Sequence, residues 1–214
     1  MPDLPTLSRL ALGYAPRASR EPWAAYLALD ARLASFVRAA NEPLTAQLRL
    51  AWWRETLCLE TDQWPSGEPL LGVLRSWNGR HGALAILVDG WESMALLQED
   101  VLEPARALAD SRARALAALA DVLGEAAHGD AAKRMGREWA LADIAAKLSN
   151  ADERDLVGIH ASTLDWKATR LPRALRPLAV LHALARRAKH LGTTLDALGP
   201  NAALSAMRAG FFGR

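Results

Sequence analysis

The chain holds a single cysteine, Cys58, so it can form neither an internal disulfide nor a thiolate zinc cage, and a reducing compartment is the expected setting. Lysine stands only at 133, 147, 167 and 189, and arginine supplies the rest of the positive charge. The net charge of +2 is too small an excess to point to nucleic acid as a partner. No stretch approaches the ~18 uncharged apolar residues that a membrane-spanning helix needs. The start of the chain carries Asp3 and Pro5 and lacks a basic segment followed by an apolar one, so no secretory signal is expected. Also missing are a glycine-rich phosphate loop ending in Gly-Lys-Ser or Gly-Lys-Thr, a dinucleotide fingerprint and a His-x-x-x-His pair. Common nucleotide and zinc chemistries therefore have no visible site.

What is present is an ordinary globular balance, 51% hydrophobic and 23% charged over 214 residues, consistent with one domain spanning 1–214. β-branched residues are few while Ala, Leu and Arg dominate, which predicts an all-α chain. Ser19, Glu21 and Pro22 predict a helix start, with Trp23, Tyr26, Leu27, Leu33, Phe36 and Val37 on its apolar positions and an end near Asn41. Pro43 opens the next helix, through Leu44, Leu48, Trp52 and Leu57 to about Thr61, antiparallel to the first. Further helices are expected over 69–77, from Leu84 to before Pro104, over 104–123 with Arg106, Arg112 and Arg114 on a wet face, and over 130–149. Residues 150–170 read as the least regular part. Pro172 and Pro177 begin a helix that ends near His190 with Gly192 as terminator, and a short helix follows Pro200.

Eight tryptophans outnumber tyrosine and phenylalanine together. Adjacent Trp52 and Trp53 diverge by about 100° on a helix, so one is expected in the core and the other on a groove or partner surface, and exposure of Trp53 with Trp64 would point to binding. Cys58, between Leu57 and Leu59, reads as a buried structural thiol, and the five dispersed histidines as satisfied or solvent-facing. Arg17, Arg20, Arg32, Arg38, Arg49 and Arg54 cluster around the first two helices; solvent-facing arginines are the plainer reading, and a site for a diphosphate or lipid head group is the sharper one. Arg186, Arg187, Lys189 and His190 suit the negative end of a helix, or, with Phe211 and Phe212, contact with an anionic membrane.

The most informative segments are Tyr14-Ala15-Pro16-Arg17, Tyr26 to Leu33, Pro43-Leu44 and above all Gln47-Leu48-Arg49-Leu50-Ala51-Trp52-Trp53-Arg54-Glu55. In these the chain resembles the squalene/phytoene synthase-like superfamily, and within it a short divergent branch similar to the mitochondrial complex I assembly factor 6. The resemblance implies a single-domain helical bundle of the isoprenoid-synthase type. Members that condense two prenyl diphosphates hold Mg²⁺ on paired aspartates, since a multiply charged leaving group must be neutralised to depart. Here only Asp30 remains at the first such motif, with Leu33 in place of its partner, and Asp143 at the second is followed by Lys147. Asp152, Glu153 and Asp155 read as a solvated loop rather than substitutes.

The preferred expectation is therefore a pseudoenzyme: a catalytically degenerate bundle with vestigial Asp30 and Asp143, no metal and no cofactor, and Arg32, Arg49, Trp53 and Arg54 as the residues nearest a ligand. Its implied partners are a protein of a respiratory complex or inner membrane, or an isoprenoid or lipid ligand, in a cytoplasmic protein peripheral to the inner membrane. The alternatives are a working prenyl diphosphate-condensing transferase of isoprenoid biosynthesis that uses Mg²⁺, and a lipid-binding helical bundle.

Overall fold

The computed structural model describes residues 4–39, 43–96, 100–198 and 202–213, and among them all regular structure is helical. The described residues form ten α-helices: α1 (Thr6–Leu12), α2 (Arg17–Ala39), α3 (Pro43–Cys58), α4 (Pro69–Leu74), α5 (Ala85–Ala95), α6 (Leu102–Val122), α7 (Gly129–Lys147), α8 (Ala151–Ser162), α9 (Arg176–Leu191) and α10 (Ala202–Phe212). The all-α expectation holds. No described helix is long and apolar enough to cross a membrane.

Helix α6 is the central element, packed between α5 and α7 and touching α2 and α8; α9 lies on α7 and carries α1 and α10. Two glycines let the central three helices come close. A Cβ on Gly90 of α5 would fall 2.8 Å from the Ser111 Cβ of α6, and one on Gly136 of α7 would fall 2.6 Å from Leu116 Cδ1. Both close approaches flank Arg112. Six tryptophans are buried, and four of them donate their indole N–H within the bundle: Trp23 to Ala174 O (2.8 Å), Trp77 to Pro22 O (3.2 Å), Trp166 to Ala161 O (2.7 Å) and Trp91 to the Asp30 carboxylate (2.9 Å). Burying such a side chain stabilises by roughly 1.5–3 kcal/mol only when its polar tip is satisfied.

Several local expectations change. Helix α2 begins at Arg17 rather than at a Ser19 cap, and the Ser19 hydroxyl instead donates to Pro16 O. Its predicted end near Asn41 lies outside the described residues. Helix α3 ends at Cys58, which is exposed rather than buried. That helix buries Ala46, Leu50, Trp53 and Leu57 and leaves Leu44, Leu48 and Trp52 outside. Apolar residues ring α3 on all sides, so the 3.6-residue period alone could not choose its face.

Residues 151–162, expected to be irregular, form α8, because the Asn150 side chain accepts from the backbone N–H of Asp152 and Glu153 and those acids occupy the first turn. Helix α9 ends as predicted, with Gly192 in the left-handed conformation at φ 61°.

Candidate functional site

Asp30 is fixed on the buried face of α2, between Tyr26 and Leu33, and Asp143 on the buried face of α7, four residues after Trp139. The space between them is filled by a side chain that the sequence pattern assigned to a wet face. Arg112 is 2% exposed. It falls four residues after Leu108 and four before Leu116, both buried, so it stands on the core stripe of α6. Its Nε and Nη2 donate to the two carboxylate oxygens of Asp30 at 3.0 and 2.8 Å, and its Nη1 donates to Asp143 Oδ2 at 3.0 Å. The Trp91 indole adds a hydrogen bond to Asp30 Oδ1 at 2.9 Å, and the Lys147 ammonium donates to Asp143 Oδ1.

The guanidinium also lies over two aromatic rings, 5.2 Å from the centre of Trp91 and 5.5 Å from that of Trp139. Trp91 follows the close-packing Gly90, and Trp139 stands three residues after Gly136. The tight α5–α6 and α6–α7 contacts therefore bring both rings onto the same cation, an arrangement suited to a planar, delocalised charge.

Two carboxylates and two cations leave the centre formally neutral. Burial alone would lower the Arg112 guanidinium, but the charges of Asp30 and Asp143 outweigh it and hold it above its ordinary range. Burial would raise the Asp143 carboxyl, and Lys147 and Arg112 together pull it below its ordinary value. The Tyr26 hydroxyl, buried and without a hydrogen-bond partner among the described residues, is pushed well up by burial and by Asp30. Two small cavities lie beside these groups: one lined also by Ser8 and Trp139 holds about 30 Å³, room for a water molecule, and one along Asp143 and Lys147 holds about 110 Å³. Both fall well short of the ~300 Å³ of the smallest ordinary ligand pocket.

A metal cluster does not fit this donor set. Mg²⁺ needs carboxylate oxygens with free lone pairs facing a shared open space, and each Asp30 and Asp143 oxygen already accepts from Arg112, Trp91 or Lys147. The guanidinium occupies the space where a shared cation would have to sit. Chemically, the arrangement clamps α2, α6 and α7 together.

The other sequence-singled residues lie elsewhere. Arg32 pairs with Glu68 at 3.4 Å, and Arg49 lies over the Phe36 ring at 5.5 Å. Trp53 is in the core, edge-on to Trp52 at 5.1 Å, and Trp52 is the exposed member of the pair. Arg49 and Trp53 nevertheless share a shallow groove of about 320 Å³ with Phe36, Leu48, Trp52 and Glu68. Arg54 points to α5, where it holds Asp89 at 2.6 Å and Glu92 at 2.7 Å. None of the four reaches the Asp30–Asp143 centre.

A second buried polar group escaped the sequence reading. His182 Nε2 of α9 donates to Glu138 Oε2 of α7 at 2.6 Å, and Trp166 stacks on the imidazole with ring centres 5.7 Å apart. Arg134 holds this corner from outside, bonding Lys167 O and Thr169 Oγ1 at 2.6 Å each. The available signal was a polar residue on an apolar stripe: Glu138 lies three residues after Met135, and His182 four after Leu178. No protein-family model, no curated protein and no solved structure matches the chain.

Proposed function

We propose that this chain is a catalytically degenerate squalene/phytoene synthase-like protein, an isoprenoid-synthase type of bundle that serves as a binding or assembly-factor-like module for a respiratory-complex or other inner-membrane partner. The reading rests on the resemblance around Arg49-Leu50-Ala51-Trp52-Trp53-Arg54 and on one structural observation: the Arg112 guanidinium bridges Asp30 and Asp143. Where a prenyl-condensing enzyme needs negative charge facing a deep apolar cavity, this chain has a neutral ion cluster beside cavities of about 30 and 110 Å³. Incubating the purified protein with farnesyl and geranylgeranyl diphosphates and Mg²⁺, then extracting lipids, tests the loss of catalysis. No condensation product is expected, and a head-to-head product would return the prenyltransferase reading.

A lipid-binding bundle is the second reading, favoured by the groove of about 630 Å³ between α7, α8 and α9. Its lining includes Ala142, Ala145, Ala185 and Ala188 together with Trp166 and Lys189. Native mass spectrometry decides it: a co-purified lipid supports this reading, and protein free of lipid after gentle isolation removes it.

A further inference from the structure

Helix α10 is seated with its small residues inward and its large ones outward. Ala206 and Ala209 are fully buried against the bundle, and Gly210 lies so close to Tyr14 that a Cβ there would fall 2.0 Å from the ring. The bulky side chains face the other way: Leu204 is 64% exposed, Met207 42%, Phe211 71% and Phe212 62%. At about 100° per residue these four span an arc of roughly 140°, with Arg208 inside it. Phe211 touches Tyr14 only edge-on, with ring centres 6.4 Å apart. An apolar stripe this wide normally faces a core; here it faces away from one.

The charge around that stripe has one sign. Helices α1, α9 and α10 contain no aspartate or glutamate, yet they carry Arg9, Arg186, Arg187, Lys189 and Arg208, besides Arg176, which is buried. Every arginine or lysine ion pair among the described residues joins positions between Asp30 and Lys147, so these cations pair with no described carboxylate. Arg186, Arg187, His190 and Arg208 line one shallow groove of about 230 Å³ between α9 and α10, with Leu191 exposed at its end. Lys189 is turned aside, its ammonium 5.5 Å over the Trp166 ring. Asp196, the next acid along the chain, lines a different cavity beside Asp143 and Lys147.

We infer that the outer face of α10, together with the C-terminal end of α9, docks on an anionic phospholipid bilayer. Leu204, Met207, Phe211 and Phe212 enter the boundary between head groups and acyl chains, while Arg186, Arg187 and Arg208 meet lipid phosphates. Both halves of the observation are needed for this choice. Unpaired cations alone would suit any polyanion, but four large apolar side chains interleaved with Arg208 require hydrocarbon as well as negative charge. A second copy of the chain is disfavoured, since a two-fold contact through this face would set the same cations against each other. The helix lies in the interface and does not cross it, as its 11 residues span only about 16 Å. The inference is independent of the proposed loss of catalysis, because it uses no residue of the Asp30–Arg112–Asp143 centre.

Vesicle co-sedimentation of the full chain tests it, using phosphatidylcholine alone and phosphatidylcholine with one part in three phosphatidylserine. Binding should be at least about tenfold stronger to the anionic vesicles and weaken as salt shortens the screening length. Replacing Phe211→Ser with Phe212→Ser should lower it about tenfold, and Arg186→Gln with Arg187→Gln by a similar factor, with far-UV circular dichroism unchanged. Arg208→Gln, a single change on the exposed face, gives a second reading of the charge requirement should either double variant misfold. Three results overturn the inference: no sedimentation with anionic vesicles, equal binding by the wild type and the variants, or displacement of vesicle-bound protein by polyglutamate or RNA to a degree that phosphatidylserine cannot match.

Discussion

Arginine does opposite work at the centre and at one corner of this bundle. At the centre of α6, Arg112 is enclosed by two carboxylates and two indole rings, and every strong charge has a partner within hydrogen-bond distance. At the α9–α10 corner, Arg186, Arg187 and Arg208 have no acid on their own helices or on α1, and large apolar side chains stand beside them in the open. The difference follows from position on the helix. A guanidinium on the apolar stripe must bring its counter-ions inside with it, whereas one at the edge of an exposed stripe keeps its charge for something outside the chain. The first arrangement holds the fold together, and the second leaves a surface unfinished.

The sharpest way to break the contrast is Arg112→Met. It leaves Asp30 and Asp143 buried with only Trp91 and Lys147 as partners, so stability should fall by about 3–5 kcal/mol in urea unfolding. Adding Asp30→Asn and Asp143→Asn to that variant should recover much of the loss, because the uncompensated charges disappear with the cation. Next in size is His182→Ala, which strips Glu138 of its buried donor and Trp166 of its stacking partner; about 1–3 kcal/mol is expected from the same measurement.

Titration adds a third effect. Because the folded Asp143 carboxyl lies below its ordinary value of 3.8, the anion is favoured in the folded state. Its contribution is present above that value and is lost as pH falls through the folded pKa, so unfolding midpoints should drop below about pH 4. The Tyr26 hydroxyl acts at the other end: raised above its ordinary 10.0, it favours the neutral form, and stability should decline as pH rises past 10. The smallest change is expected at the open corner. Arg186→Gln or Phe211→Ser should alter stability by no more than about 0.5 kcal/mol, in keeping with groups that touch little of the fold.

The helical class was legible because scarce β-branched residues and Ala/Leu abundance act locally, and the stop at Gly192 because a left-handed terminator is a one-residue signal. Asp30 and Asp143 were legible as a pair only through the resemblance, and their partner was not. Of Arg32, Arg49 and Lys147, which the sequence offered as counter-ions, only Lys147 binds; the dominant partner is a residue 82 positions past Asp30. Arginine's long side chain makes a wet face the usual reading, and the α6 stripe was interrupted there by a charge. The face of α3 stayed hidden for the opposite reason, since too many apolar residues left no contrast to read. Residues 150–170 looked irregular because polar residues crowd them, although the Asn150 cap and its two acids were signals enough for α8.

The central claim is that Asp30 and Asp143 act as counter-ions of Arg112 and not as ligands awaiting a metal. Carboxylates held for catalysis repel one another in the free protein, and neutralising one stabilises the fold. Carboxylates that clamp a buried guanidinium do the reverse. Urea unfolding of Asp143→Asn, measured with and without Mg²⁺, decides between them. The account predicts a loss of about 3–5 kcal/mol that Mg²⁺ leaves unchanged; a variant as stable as the wild type or more so, with a wild type that Mg²⁺ stabilises, would contradict it.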